Sequence, residues 1–152
     1  MLTHKSKYAL KALLVLAKEF GHAPLLISEI SMRERIPRKF LEAILLELRK
    51  EGILGSKKGK GGGYFLARAP RLIRVSEVLR TLDGPLALTP CVSKTGYRHC
   101  DECIDERTCG VRLVMKEVRD ATAKILDSTT LADVIRRVEV AARGKEEINY
   151  AI

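Results

Sequence analysis

Four cysteines lie within a stretch of 19 residues in the second half of the chain. Their spacing is Cys91-x8-Cys100-x2-Cys103-x5-Cys109. Cysteine thiolates bind soft metal ions such as zinc and are the usual ligands of iron–sulfur clusters. The surrounding residues, 85–109, show no sustained helical periodicity and contain many residues that form turns. A loop of this kind could bring all four sulfur atoms to one centre.

The spacing leaves four interpretations open. A structural zinc site would take four cysteines tetrahedrally, but zinc ribbons usually contain two Cys-x2-Cys pairs and this chain has one. A thiol-redox site would use Cys100 and Cys103, although no βαβ pattern surrounds them. Unliganded reduced thiols are a third alternative, and an iron–sulfur cluster is the fourth. Spacing alone does not choose between zinc and a cluster.

The first apolar run, residues 8–20, indicates the compartment. It is too short and too charged to span a bilayer, and no small-residue cleavage site follows it. We therefore expect a cytoplasmic protein with no membrane partner. In a reducing cytosol, clustered cysteines are better explained as metal or redox ligands than as disulfides. The sequence contains no combination of nucleophile, base and orienting residue, so we do not expect an enzyme.

The positive charge is concentrated in the N-terminal half. Residues 1–70 contain 14 Lys or Arg against 6 Asp or Glu, whereas residues 71–152 contain 14 against 13. A basic half on a chain with net charge +9 indicates a polyanionic partner, because neutralising phosphates releases counterions. Solvated helix faces are the plain alternative.

Hydrophobic periodicity predicts a mainly α fold with a small β-hairpin. Ser28 is the expected N-cap of the second helix, Gly52 ends the third, and a short apolar stretch precedes Ser28. Helices are predicted over 6–20, 28–35, 37–50, 75–82, 111–126 and 129–142, with a hairpin over 53–66. The order helix, short strand, helix, helix, hairpin is that of a winged helix-turn-helix.

The expected organisation follows from this order. We expect a winged helix-turn-helix DNA-binding domain over 1–84, followed by a cysteine-rich loop over 85–110. A long helix and a C-terminal helix then occupy 111–143, and a flexible polar tail occupies 144–152.

The third helix is the expected reading helix, because the second helix of the motif enters the major groove with its N-terminal residues nearest the bases. Arg38, Lys39 and Glu42 lie there, opposite the apolar face. Arginine and lysine can donate to phosphates or guanine, and glutamate can accept from cytosine. A charged solvent face is the alternative for an isolated helix.

The hairpin tip contains Lys57, Lys58, Lys60, Gly61 and Gly62. Glycines and like charges both weaken a hairpin, through backbone entropy and repulsion. Such a tip suits close approach to a phosphate or insertion of a lysine into a narrow minor groove. A solvated flexible loop is the alternative. Together with the reading helix, the tip favours double-stranded DNA as the partner.

Five segments resemble a known family. They are YALKAL at 8–13, IPRKFLE at 36–42, LELRKEG at 46–52, GGGYFLA at 61–67 and DSTTLAD at 127–133. The chain resembles the bacterial Rrf-two family of winged-helix transcription regulators, to which IscR, NsrR and CymR belong. The glycine-rich wing followed by Tyr64 and Leu66 is the most specific match.

The resemblance implies a homodimer formed by the long helix at about 111–126, in agreement with its apolar stripe. It also implies DNA contacts on the reading helix and in the wing. The residues that match those positions are Arg38, Lys39, Phe40, Glu42 and Lys58.

The cysteine pattern matches the family in part. Members that bind a cluster have a last pair of cysteines five residues apart, which Cys103 and Cys109 match. The first cysteine of the family pattern is replaced by Tyr97 in this chain, which departs from the family at that position. The fourth ligand varies within the family. Where it is a histidine after the last cysteine, this chain has Arg112, and where it is an acidic residue in the first helix, this chain has Lys7. The resemblance therefore favours an all-cysteine site made of Cys91, Cys100, Cys103 and Cys109.

We expect this site to hold a 2Fe-2S or 4Fe-4S cluster, with zinc as the alternative cofactor. The expected function is a transcription regulator, with repression as the expected effect, whose operator binding responds to the cluster. A regulator with a structural zinc or a thiol switch is an alternative. A cytosolic thiol- or metal-handling protein is the rival from another class.

Overall fold

The computed structural model describes residues 2–150 of the backbone and residues 2–145 of the side chains. Within this part of the chain there are six α-helices, one two-stranded sheet and two short 3-10 helices. They are α1 (His4–Lys18), α2 (Ile27–Glu34), α3 (Arg38–Lys50), β1 (Leu54–Lys57), β2 (Gly63–Leu66), η1 (Pro70–Leu72), α4 (Val75–Asp83), η2 (Pro90–Val92), α5 (Gly110–Ser128) and α6 (Leu131–Tyr150).

A three-residue turn joins α2 to α3. Arg35 adopts the left-handed conformation with φ of 54°, which is uncommon for a residue with a Cβ atom. The Ser31 hydroxyl donates to the carbonyl of Ile36 at 2.7 Å, and the Lys11 ammonium donates to the carbonyl of Glu34 at 2.6 Å. Local side-chain bonds therefore fix the turn on which the orientation of α3 depends.

The start of α2 differs from the prediction. Ser28 is not the N-cap; it lies inside the first turn, and Leu26 occupies the cap position. The carboxylate of Glu29 accepts the Leu26 amide at 2.9 Å, which satisfies a backbone donor without a serine cap. The end of α3 is as predicted. Gly52 has φ of 73°, and the Ile53 amide donates back to the Leu48 carbonyl at 3.0 Å.

The hairpin forms the wing. Its strands are antiparallel, with Leu54 opposite Leu66 and Lys57 opposite Gly63. The apolar stretch before α2 adds one bridge, since Leu25 and Tyr64 exchange backbone hydrogen bonds of 2.9 and 2.8 Å. A Cβ atom on Gly63 would lie 2.2 Å from the Leu25 carbonyl oxygen. Glycine is therefore required at this close approach.

The core is aliphatic and extends from α1 to the start of α6. Leu13, Leu45 and Val78 are fully buried, and so is Leu131 at the beginning of α6. The Leu131 amide donates to the Ile73 carbonyl at 3.0 Å, and the Val75 amide donates to the Thr129 carbonyl at 2.9 Å. The junction between α5 and α6 is thus attached directly to the N-terminal domain.

The C-terminal helix is longer than predicted. Helix α6 continues through residue 150, whereas the sequence predicted an end near 142 and a flexible tail over 144–152. The Lys-Glu-Glu run at 145–147 has high intrinsic helix propensity, which explains the extension. Residues 151 and 152 lie outside the described residues. Among the described helices, none has both the length and the apolar composition needed to cross a bilayer.

An ion pair joins α4 to the end of α5. Arg80 Nη1 and Nη2 donate to the two carboxylate oxygens of Asp127, at 2.6 and 3.3 Å. The hydrogen bonds from Arg80 and Ser76 lower the pKa of Asp127 from its ordinary 3.8 to about 2. The pair is partly exposed, so its contribution to stability is modest.

We expect Asp127→Asn to lower the free energy of unfolding at pH 7 by less than about 1 kcal/mol. Because the folded carboxyl has the lower pKa, its contribution is complete above about pH 4 and is lost as the pH falls towards 2. Urea unfolding at fixed protein concentration, at pH 7 and at steps down to pH 2, measures the difference. Glu117→Gln, an exposed carboxylate on α5, is the control. A difference that persists at pH 2 would contradict the assignment.

Candidate functional site

Helix α3 has one buried face and one free face. Leu41, Ile44, Leu45 and Leu48 are buried against the core. The predicted reading residues all lie on exposed positions at the opposite, N-terminal side. These residues are Arg38, Lys39, Phe40 and Glu42. The fold therefore leaves all four predicted residues exposed to solvent in the first turns of α3.

Two details of this face bear on recognition. Arg38 Nε donates to Glu42 Oε1 at 3.2 Å, one helical turn away. The pair is exposed and weak, so both side chains are available to another partner. The ring of Phe40 is 64% exposed, which is unusual for phenylalanine. An apolar ring at this position can contact a thymine methyl group.

The wing tip is also accessible. Lys57, Lys58 and Lys60 are exposed, and so is Gly61. At the base of the wing, Arg49 Nη1 donates to the Ser56 hydroxyl at 3.0 Å, which links the end of α3 to β1. No pattern in the sequence indicates this contact. It attaches the wing to the reading helix, so the two surfaces keep a fixed relation.

One of the wing glycines is required by the turn at the tip of the hairpin. Gly62 is buried, and its amide donates to the Gly59 carbonyl at 3.0 Å. A Cβ atom on Gly62 would lie 2.2 Å from the Lys57 carbonyl oxygen. The turn itself therefore requires glycine here, and the prediction that this glycine is structurally unfavourable is wrong. The exposed lysines remain the feature that favours an anionic partner.

All four cysteines line one cleft of about 660 Å³ at the N-terminal end of α5. Cys91 belongs to η2, and Cys109 occupies the N-cap position of α5. Between them, the Cys103 amide donates to the Cys100 carbonyl at 3.0 Å, which forms a turn. The chain thus brings sulfur atoms from three separate segments to one opening.

The cysteines are not assembled into a closed ligand set. All four are free thiols, with Cys100 exposed and the others partly buried. In the described part of the chain, no group of three His, Cys, Asp or Glu side chains is arranged to hold a metal ion as it stands. Desolvation and the neighbouring Cys109 and Cys100 raise the pKa of the Cys103 thiol. A raised pKa is the opposite of what a reactive redox thiol needs.

A carboxylate closes the loop that carries these cysteines. The Tyr97 hydroxyl donates to Glu106, His99 Nδ1 lies 3.0 Å from the same carboxylate oxygen, and Arg112 Nη2 lies 3.8 Å from the other. Hydrogen bonds from Tyr97 and His99 lower the pKa of Glu106. The sequence did not single out Glu106, because nothing distinguishes it from the other acidic residues of the loop.

An arginine with a mostly covered side chain holds the segment of the first cysteine. Arg119 of α5 is only 12% exposed, and its guanidinium donates to the carbonyl of Val92 in η2. Val92 is itself buried and directly follows Cys91. Arg119 therefore fixes Cys91 against α5. In the sequence, this role of Arg119 is indicated only by the position of a charged residue beside the apolar stripe of α5.

Known relatives of the chain are transcriptional regulators. Residues 2–137 match the protein family described as "Rrf2: Iron-dependent Transcriptional regulator". An rrf2-like HTH-type transcriptional regulator of Rhodobacter capsulatus is 45% identical over 150 residues, which cover 97% of this chain and 100% of that protein. The HTH-type transcriptional regulator IscR of Cronobacter sakazakii is 31% identical over 150 residues, which cover 99% of this chain and 89% of that protein.

Solved structures of transcriptional regulators have the same fold as this chain. CymR (YrzC), the global cysteine regulator of B. subtilis, superimposes with a TM-score of 0.76 and 27% identity, over 90% of this chain and 97% of that chain. IscR of T. potens superimposes with a TM-score of 0.72 and 30% identity, over 93% of this chain and 90% of that chain. The predicted winged-helix fold and the resemblance are confirmed, and these proteins are regulators rather than enzymes. The chain belongs to the Rrf2 family of transcriptional regulators.

Proposed function

We propose that this regulator binds operator DNA as a homodimer and that an iron–sulfur cluster on its four cysteines controls that binding. The observation that carries the proposal is the shared cleft at the N-terminal end of α5, which contains Cys91, Cys100, Cys103 and Cys109. The cleft lies at the start of a long helix on which several apolar residues, among them Val111, Val114 and Ile125, are more than half exposed.

The DNA contacts are assigned to two exposed surfaces. The N-terminal turn of α3 enters the major groove, where Arg38 and Lys39 donate to bases or phosphates and Glu42 selects against wrong bases. Phe40 packs on sugar or thymine. The wing follows the backbone through its tip, which consists of Lys57, Lys58, Lys60, Gly61 and Gly62. Gly62 keeps this tip narrow through its close approach to the Lys57 carbonyl, and Gly61 allows the turn through its positive φ of 71°.

The dimer is assigned to α5. Val111, Val114 and Ile125 are each more than half exposed, and none of the residues of α5 is buried. Apolar patches of this kind mark interaction sites in soluble proteins. A second copy that packs its own α5 on this stripe would cover it symmetrically. Pairing along α5 would also set the distance between the two reading helices.

The donor set of the cleft fits an iron–sulfur cluster. Four thiols provide the full complement of soft ligands, and Arg98 and Arg112 line the same cleft and offset negative charge. Zinc would accept the same four thiols. The description of the family as iron-dependent, and the relatives named IscR, favour iron. When bound, the group supplies a redox-sensitive link between the segments that hold it.

The segments that carry the four cysteines differ in how firmly the rest of the fold holds them. Cys91 is fixed through Arg119 and η2, and Cys109 is fixed by α5. Cys100 and Cys103 lie in the loop, where Cys100 is exposed. Ligation joins this loop to the two fixed cysteines, and its release frees residues that directly precede α5. Since half-site spacing is geometrically strict, a small shift of α5 changes operator affinity.

The first prediction concerns the ligand set. We expect protein purified without oxygen to contain iron and acid-labile sulfide and to absorb in the visible range. Cys91→Ser should lose most of both, because the proposed site needs all four thiolates. Thr95→Ala, an exposed change in the same loop, is the control. A colourless protein with about one zinc per chain would refute the cluster and favour the zinc alternative.

The second prediction concerns the wing. We expect Lys58→Ala to weaken binding to the promoter region of its own gene and to lower the slope of log affinity against log salt by about one unit, since it removes one phosphate contact. Fluorescence anisotropy at several salt concentrations measures both. Lys124→Ala, an exposed lysine on α5, should leave the slope unchanged. An unaltered slope for the wing variant would show that the tip does not touch the backbone.

A further inference from the structure

The guanidinium of Arg112 has a donor without an acceptor. The side chain is only 25% exposed, and its Nε atom is buried with no hydrogen-bond partner among the described residues. Its Nη2 atom lies 3.8 Å from Glu106 Oε2, which is beyond hydrogen-bonding distance. The other oxygen of Glu106 already accepts from Tyr97 and lies 3.0 Å from His99. A buried N–H group in this state is unfavourable unless an acceptor arrives.

The position of Arg112 indicates that acceptor. It lies three residues after Cys109, which is the N-cap residue of α5, and the side chains of an N-cap residue and of the third helical residue come close together at the start of a helix. Arg112 also lines the cleft that contains the four cysteines. The same cleft is lined by the carboxylates of Asp101 and Glu102, but the ion pair of Arg112 is with Glu106. The thiolate of Cys109, which begins the same helix, is therefore the acceptor that its position favours.

We infer that Arg112 is the cationic hydrogen-bond donor to the thiolate centre, and that it raises the affinity of the four cysteines for metal. The inference rests on the proposed function, because it requires the cysteines to converge. An arginine stays protonated and has no acceptor atom, so Arg112 cannot itself be a ligand. Four thiolates around one divalent metal ion leave net negative charge, which a neighbouring guanidinium stabilises.

A simpler role would be that Arg112 only anchors Glu106 and shapes the loop. The two roles predict effects of different sign. If Arg112 acts by charge, Arg112→Gln weakens metal binding, whereas Glu106→Gln, which removes a negative charge nearby, leaves it unchanged or strengthens it. If Arg112 only anchors Glu106, both variants loosen the same loop and weaken binding alike.

Cobalt(II) titration of the metal-free, reduced full-length chain tests the inference, with thiolate-to-cobalt charge-transfer absorption as the readout. We expect Arg112→Gln to bind cobalt about tenfold more weakly, Arg112→Lys to retain most of the affinity, and Glu106→Gln to bind at least as tightly as the natural chain. Arg107→Gln is the matched control, because Arg107 is 91% exposed and pairs with Asp105. It should change the affinity by less than about twofold.

Other results would overturn the inference. Equal affinity of Arg112→Gln and the natural chain would exclude a role for Arg112 at the centre. Equal weakening by Arg112→Gln and Glu106→Gln would leave only the anchoring role. Absence of thiolate–cobalt absorption in the natural chain would refute both the converging cysteines and this inference. Cobalt binding that depends on Arg112, in a protein that contains no iron in vivo, would support the inference while refuting the iron cluster.

Discussion

Four thiols share one cleft, and the cost of ionising them there is the constraint on which the proposed centre depends. Desolvation, together with the neighbouring sulfurs of Cys109 and Cys100, raises the pKa of Cys103, so this thiol favours the neutral form when no metal ion is bound. A metal centre reverses that balance, because its positive charge stabilises thiolates at close distance. In the proposed function, the conformation of the loop therefore depends on whether a metal centre is bound. The surrounding contacts of Arg119 and Glu106 limit how far each segment moves.

Helix α5 connects this centre to the rest of the fold. Its N-terminal end carries Cys109, its exposed apolar stripe is the proposed dimer surface, and its C-terminal end carries Asp127, which pairs with Arg80 of the N-terminal domain. Immediately afterwards, Leu131 enters the core beneath the winged helix. A displacement at the start of α5 thus has a packed, hydrogen-bonded route to the domain that carries the reading helix. This route is a physical basis for coupling, although coupling itself is defined by a difference in binding free energy.

The sequence predicted the parts of the fold that depend on local pattern. The apolar periodicity of α3, the glycine after it and the lysine-rich hairpin were each sufficient, because their signals lie within a few residues. The cap of α2 was missed since the Glu29 carboxylate replaces the expected serine. The contacts of Glu106 and Arg119 were also missed, because they join residues that only the folded loop brings together. Spacing placed the four cysteines in one loop, but it did not indicate that Arg112 lines their cleft.

Control of DNA binding by the cysteine centre is tested most directly by comparing one anaerobic preparation before and after removal of its iron. The quantity measured is the affinity for the promoter region of its own gene at fixed salt. We expect the affinity to change at least about tenfold, because a shift of α5 would alter the spacing of the reading helices. Size-exclusion chromatography of both forms would establish whether each remains dimeric. Equal affinity of the two forms would contradict control by the cysteine centre.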